Sequence, residues 1–255
     1  MTAEALIAAL NLPAAAWVDQ RVPKKLLLEN GAFTAADKRL ISDGIEEIRW
    51  LAALKPATCG VPEFRDDRRE YLEIAVLHMT LREPAKPGRL VELLHRAVPY
   101  PVLLVFTHCG CVSASLIHKR HALNEANKVI LDGEHRVVDI QRIERSPQSA
   151  FLQALDIARQ PKISLHALYQ GWMDVVAALE ATHLTGVFTI LDSDERSQRR
   201  REALTQVQGI DVEMKTLRAA AGKASQVARQ VELNLQLQRL KRQRDQALQH
   251  LQGNL

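Results

Sequence analysis

The chain has 255 residues, of which 47% are hydrophobic, 4% aromatic and 25% charged, with a formal net charge of +4 at pH 7. This is an ordinary soluble composition, long enough for one large domain or two modest ones, and scarce aromatics leave the core to Leu, Ile, Val and Ala. Three cysteines without an export signal point to a reducing cytoplasm, and no run approaches the ~18 apolar residues that a membrane span needs.

In chain order, the Ala-rich start carries Glu4 and reads as a short helix stopped near Pro13. The segment 21–33, with Lys24 and Lys25, reads as a loop or short extended stretch turning at Gly31. Thr34, with Asp37 three residues on, is an N-cap for a helix over 37–54, where Leu40, Ile41, Ile45, Ile48, Leu51 and Ala52 recur on one helical face up to Pro56. The period then becomes two. Over 69–81, Tyr71, Glu73, Ala75, Leu77 and Met79 alternate with Leu72, Ile74, Val76 and His78, as in a strand covered on both sides. A helix over 89–98 and strands over 101–106 and 111–118 follow, and Asp132-Gly133 predicts a hairpin over 127–141.

From Pro147 the pattern is helical, with segments 147–159 and 165–183 separated by Pro161, and 186–190 reads as a last short strand. The polar stretch 192–202 has the composition of a boundary. Beyond it Ile210, Met214, Leu217, Ala221, Ala224, Ala228, Val231 and Leu235 form a 3.5-residue seam, which then shifts by two to Leu233, Leu237, Leu240, Ala247 and Leu251 with Arg244 in a seam position. Two helices folding back on each other, or one helix whose halves meet different partners, fit that shift. The expected architecture is α+β: an N-terminal α/β domain over 1–145 with a small, largely antiparallel sheet flanked by helices, a helical extension over 146–191, and a basic coiled-coil-like arm over 192–255. Residues 196–255 hold 12 Lys/Arg against 5 Asp/Glu, so the first 195 residues are net −3 and the last sixty net +7.

Cys109 and Cys111 flank Gly110, beside His108 and upstream of His118 and His121. Zinc sites space their cysteines by two to four residues, so the one-residue gap favours a hairpin turn with its thiols packed inside, and neither a metal nor another cofactor is expected. A redox pair would lack the CxxC helix N-terminus that lowers a thiol pKa. A nuclease-like site needs clustered carboxylates and a lysine around Mg²⁺, for which Glu47 (beside Glu46), Glu73 and Lys119 are the candidates; the acid-x-Lys pair itself is missing, since Glu73 is followed by Ile74-Ala75. Candidate phosphate contacts are Lys24 and Lys25, Arg199, Arg200 and Arg201, and Arg239, Lys241, Arg242 and Arg244, without the interleaved aromatics of single-strand binders.

The order of short motifs adds a resemblance. It runs from P-K-K-L (Pro23 to Leu26) and I-x-x-I-x-W (Ile45, Ile48, Trp50) to E-I-x-V (Glu73, Ile74, Val76) and V-P-x-P (Val98, Pro99, Pro101). A strand near Lys119, L-x-x-L-Y (Leu165, Leu168, Tyr169) and V-E-L-N (Val231 to Asn234) complete it. In this order the chain resembles a bacterial family of unknown function encoded beside superfamily-two helicases and DNA methyltransferases in restriction-like and phage-defence gene clusters. The resemblance implies a non-catalytic accessory subunit docking on a helicase or methyltransferase, and brings no catalytic residues. Leu217, Val231, Leu235, Leu237 and Leu240 are the expected docking positions. DNA binding or Mg²⁺-dependent cleavage is the rival reading, and self-association through the arm a third.

Overall fold

In the computed structural model, which describes residues 1–31, 33–122, 129–140, 145–224 and 226–253, the Thr34 cap forms as its sequence implies. The Thr34 hydroxyl accepts from the Asp37 N–H at 3.1 Å while the Asp37 carboxylate accepts from the Thr34 N–H at 3.4 Å, satisfying two donors that the first turn leaves bare. The helix they start, α3 (Ala35–Gly44), is shorter than its sequence period predicts. It ends at Gly44, where a Cβ would meet Leu90 Cδ1 at 2.7 Å, and the chain continues as a strand, β2 (Ile45–Leu54).

The misleading period has a physical cause. The pairing of β2 shifts register between Ile45 and Glu47 and again between Trp50 and Ala52. A bulge inserts one extra residue, so positions three apart fall on the same face of the strand. Ile45 and Ile48 therefore share one apolar cluster, as they would on a helix.

The strand sits second in a six-stranded mixed sheet ordered β1 (Trp17–Arg21), β2, β5 (Ile74–Leu81), β6 (Val102–His108), β7 (Cys111–His121) and β8 (Val129–Asp139). All neighbours are antiparallel except β5 and β6, which are parallel and joined by the crossover helix α5 (Pro87–Ala97). The sheet is thus larger than expected and not wholly antiparallel. Helices α2 (Lys24–Asn30), α3 and α5 cover one face, where Ile41, Ile48, Leu77, Met79, Leu90, Leu94 and Leu104 pack together. Segment 21–33 is therefore not the expected loop: a helix starts directly after Pro23, which is its N-cap in extended backbone.

Short elements fill the remainder of the chain up to residue 154, namely α1 (Ala3–Ala9), α4 (Pro56–Cys59), the two-residue strands β3 (Phe64–Arg65) and β4 (Glu70–Tyr71) and α6 (Arg145–Ala154), and the longer helix α7 (Leu165–Thr185) follows. The expected strand over 69–81 is broken between β4 and β5; β5 is covered on both faces as its sequence implies, with Ala75, Leu77 and Met79 in the cluster under α5 and Ile74 and Val76 buried on the other side. The expected hairpin at Asp132-Gly133 is instead one strand, β8. Its partner β7 moves from Leu116 opposite Arg136 to His118 opposite Asp132, and Gly133 supplies the positive φ (76°) of the bulge. Residues 127, 128 and 141 of that expected hairpin lie outside the described residues.

The chain forms two compact units, Met1–Val176 and Ala177–Leu255. In the second, α8 (Asp194–Lys223) and α9 (Val227–Gly253) run antiparallel as a helical hairpin. Stretch 192–202 is the start of α8, with the Ser193 hydroxyl accepting from the Arg196 N–H, and 186–190 forms no strand. The long seam predicted from 210 to 235 is interrupted at the turn between the helices, so the shifted stripe is the return helix. No helix is long and apolar enough to cross a membrane among the described residues.

Because the Thr34 cap is local and its loss leaves the Asp37–Arg89 ion pair in place, Thr34→Ala is expected to destabilise the chain by about 1 kcal/mol. A urea titration followed by circular dichroism checks this, and an unchanged midpoint would mean that α3 is held by packing alone.

Candidate functional site

The three residues of the nuclease reading do not come together. Glu47 pairs across the strands with Thr80, while Glu73 precedes Ile74 at the opposite end of β5. At ~3.3 Å per residue that is a separation of roughly 20 Å along the sheet. Glu47 lies 3.6 Å from Arg21, and Glu73 is buried against Lys55 Nζ at 3.0 Å. Lys119 is also buried; its Nζ donates to the Val98 and Tyr100 carbonyls, and burial pulls its pKa down to about 7. An uncharged amine still carries two N–H donors, which match those two carbonyls.

The cysteines stand in a hairpin turn, as the spacing implies. His108 faces Cys111 across the β6–β7 ladder, and Cys109 and Gly110 between them both have positive φ (50° and 76°), the signature of a type I′ turn. The thiols are exposed rather than packed inside. The His108 imidazole hydrogen-bonds the Glu83 carbonyl at 3.0 Å, and among the described residues no group of three His, Cys, Asp or Glu has the geometry of a metal site.

Sequence reasoning missed two buried histidine clusters on opposite faces of β7. On the face under α5, Ser115 Oγ lies 2.9 Å from His95 Nε2 and 2.7 Å from His135 Nε2, and both imidazole pKa values are lowered by burial. On the other face Tyr71 OH meets His118 Nδ1, His118 Nε2 lies 2.9 Å from Gln170 Oε1, and Gln170 Nε2 donates to Asp174 at 3.1 Å. The amide orientation fixes the tautomer: His118 carries its proton on Nε2 and accepts from the Tyr71 hydroxyl at Nδ1. Phe64, His166 and His118 stack ring on ring, with centroids 4.8 and 5.1 Å apart. Burial lowers the His118 pKa to about 4, so at neutral pH both ring nitrogens are committed and uncharged.

The first cluster ties α5 to β7 and β8, and the second ties β4 and β7 to α7. Their sequence signal was faint: His118 sits among apolar residues of a strand, and His166, Tyr169 and Gln170 share one helical face by their three- and four-residue spacing.

The predicted docking and phosphate-contact residues divide as well. Leu240 is buried in the α8–α9 seam with Ile210 and Met214, and Leu217 and Leu237 pack beside it, whereas Val231 and Leu235 point outward, 54% and 53% exposed. Lys24 bonds the Ser42 and Ile45 carbonyls at the end of α3, and Lys25 pairs with Glu29. Arg200 is buried on the Thr189 carbonyl, Arg199 pairs with Glu195, and Arg201 is half-buried. Arg244 clamps Asp211 across the hairpin at 2.6 Å. Only Arg239, Lys241 and Arg242 of that set stand exposed without an ion pair among the described residues.

The neutral His118 makes a pH prediction. A histidine with pKa near 6.5 when unfolded and about 4 when folded costs nothing above pH 6.5. As the pH falls from about 6.5 to 4 the unfolded chain takes up the proton first, removing about 1.4 kcal/mol per pH unit within that window. Stability measured by urea is therefore expected to drop between pH 7 and pH 5, and His118→Gln to flatten the drop. An equally steep drop in the variant would assign it to other groups.

A family model described as a domain of unknown function, DUF4391, matches residues 10–243. No curated protein and no solved structure matches the chain. With more than half of its length matched, the chain belongs to the DUF4391 family.

Proposed function

We propose that the protein is a cytoplasmic, non-catalytic accessory subunit that docks through its α8–α9 hairpin on a DNA-processing enzyme, a helicase or a DNA methyltransferase, in a restriction-like or anti-phage system. The observation that carries the reading is the outward placement of Val231 and Leu235. They lie one turn apart on α9, while the inner stripe of the same helix is already filled by Leu233, Leu237 and Leu240. Covering them would add roughly 1 kcal/mol for each side chain left half in water. The body supports the reading differently, since the acidic and basic groups proposed for cleavage are spread apart and used in its own packing. The nature of the partner comes from the motif order alone.

Neutral substitutions at the two positions test it, because they remove apolar surface without altering the seam. Tagged full-length chain is expected to retain the helicase or methyltransferase from its own cells, and the Val231→Gln/Leu235→Gln variant to lose it with its melting temperature unchanged. Retention of the enzyme by the double variant would overturn this docking face. A wild-type dimer that the variant converts to a monomer, with no enzyme retained by either, would identify a second copy as the occupant instead.

A further inference from the structure

The positive charge of the second unit is concentrated at the far end of the hairpin. Between Met214 and Arg244 the chain carries eight Lys/Arg and a single carboxylate, Glu232. Glu232 is engaged by Arg229, and Arg244 is engaged by Asp211. The remaining six, Lys215, Arg218, Lys223, Arg239, Lys241 and Arg242, are all exposed and form no ion pair among the described residues.

The packing sets their arrangement. Arg244 opposite Asp211, and Leu240 against Ile210 and Met214, fix the antiparallel register so that Lys241 stands level with Met214, next to Lys215. With Met214 and Leu217 in the seam of α8, and Leu237, Leu240 and Arg244 in that of α9, Arg218 and Lys241 occupy the flanking positions that face each other across one edge, and Lys215 lies just outside them. Flanking positions of an antiparallel pair ordinarily carry opposite charges that stabilise it. Here they carry like charges within about one helical turn, some 6 Å along the axis.

We infer that this edge binds the phosphate backbone of double-stranded nucleic acid, without reading its sequence. Three observations select that ligand over other polyanions. The cations are spread over two parallel rods rather than gathered in a pocket, as suits a repeating charge. No Phe, Tyr or Trp follows Phe188, so the hairpin has no platform on which unpaired bases could stack. The residues around them are uncharged groups such as Ala219 and Gln238, which leave the cations without neighbouring carboxylates between Met214 and Arg244 apart from Glu232. The inference stands apart from the docking face, which uses the outer apolar positions Val231 and Leu235.

The test is a salt titration of binding to a 30-base-pair DNA duplex by fluorescence anisotropy, with the full chain and a Lys215→Gln/Arg218→Gln/Lys241→Gln variant. Each phosphate neutralised contributes about 0.9 to the slope of log K against log salt, so the triple variant is expected to lower the slope by about 3 and to weaken binding ~500-fold at 0.1 M salt. Its helicity and melting temperature should match the wild type, because the three side chains hold nothing else. Val231→Gln/Leu235→Gln should leave the slope unchanged, which separates this edge from the docking face. Absence of duplex binding at 50 mM salt, or a slope that the triple variant leaves unaltered, overturns the proposal. Binding of polyglutamate as tight as that of the duplex does so too, by making the edge a site for acidic protein surfaces. Tighter binding to a single strand than to the duplex would also overturn it.

Discussion

The body depends on how it closes a gap between two central strands. Strands β6 and β7 pair from His108–Cys111 as far as Leu104–Ser115, and beyond that point their ladder stops. Backbone groups left there lie in the core, where each unpaired donor or acceptor would cost ~1–3 kcal/mol. Side chains supply what the ladder no longer does. The Tyr169 hydroxyl, from α7, accepts from the Ile117 N–H at 3.0 Å and reaches the Val102 and Ile117 carbonyls at 2.8 and 3.0 Å. One residue pair further on, Lys119 serves the Val98 and Tyr100 carbonyls on the way from α5 into β6. The bulge between β7 and β8 falls at the same level, between Leu116 and His118, so one line of irregularity crosses three strands.

This line explains why the buried polar residues are where they are. A parallel pair inside an otherwise antiparallel sheet needs the α5 crossover, and the chain returning from α5 must bring carbonyls inside. Tyr169 and Lys119 cluster around the break because its backbone asks for side-chain partners, and the Tyr71–His118–Gln170 relay packs beside them. Taken one at a time, a buried lysine with a pKa near 7 and a histidine bonded at both nitrogens look like catalytic equipment. Taken together they are the closing of a ladder. Their protons are committed, and their removal would leave unsatisfied groups in the interior.

Legibility in the sequence followed the range of the interactions. The Thr34–Asp37 cap and the Cys109-Gly110 turn are set by neighbours within three residues, and both formed as read. The helical fold-back was legible because a two-residue shift of an apolar stripe cannot be satisfied on one straight helix. Strand β2 was hidden because two bulges, dictated by its neighbours in the sheet, gave it the spacing of a helix; Asp132-Gly133 was misread because a bulge and a hairpin turn ask for the same positive φ. The polar network could not be read at all. Tyr71, His118 and Gln170 are 47 and 52 residues apart along the chain, and nothing local in any of them announces the others.

The positive charge gathers in residues 196–255, net +7 against −3 for the first 195, and magnitudes indicate what that concentration serves. Like charges about 8 Å apart in 0.15 M salt repel by only ~0.2 kcal/mol once screened, so a few such pairs on the hairpin edge cost the fold about 1 kcal/mol. The small seam of Ile210, Met214 and Leu240, with the Arg244–Asp211 clamp, can carry that. Each of the same cations set against a phosphate releases a condensed counterion, worth about 1 kcal/mol at that salt concentration. The three on the edge, about 3 kcal/mol together, outweigh the repulsion. On that proposal the charge pattern is nearly neutral for the fold and large for a polyanion, so its energetics lie in what it would meet.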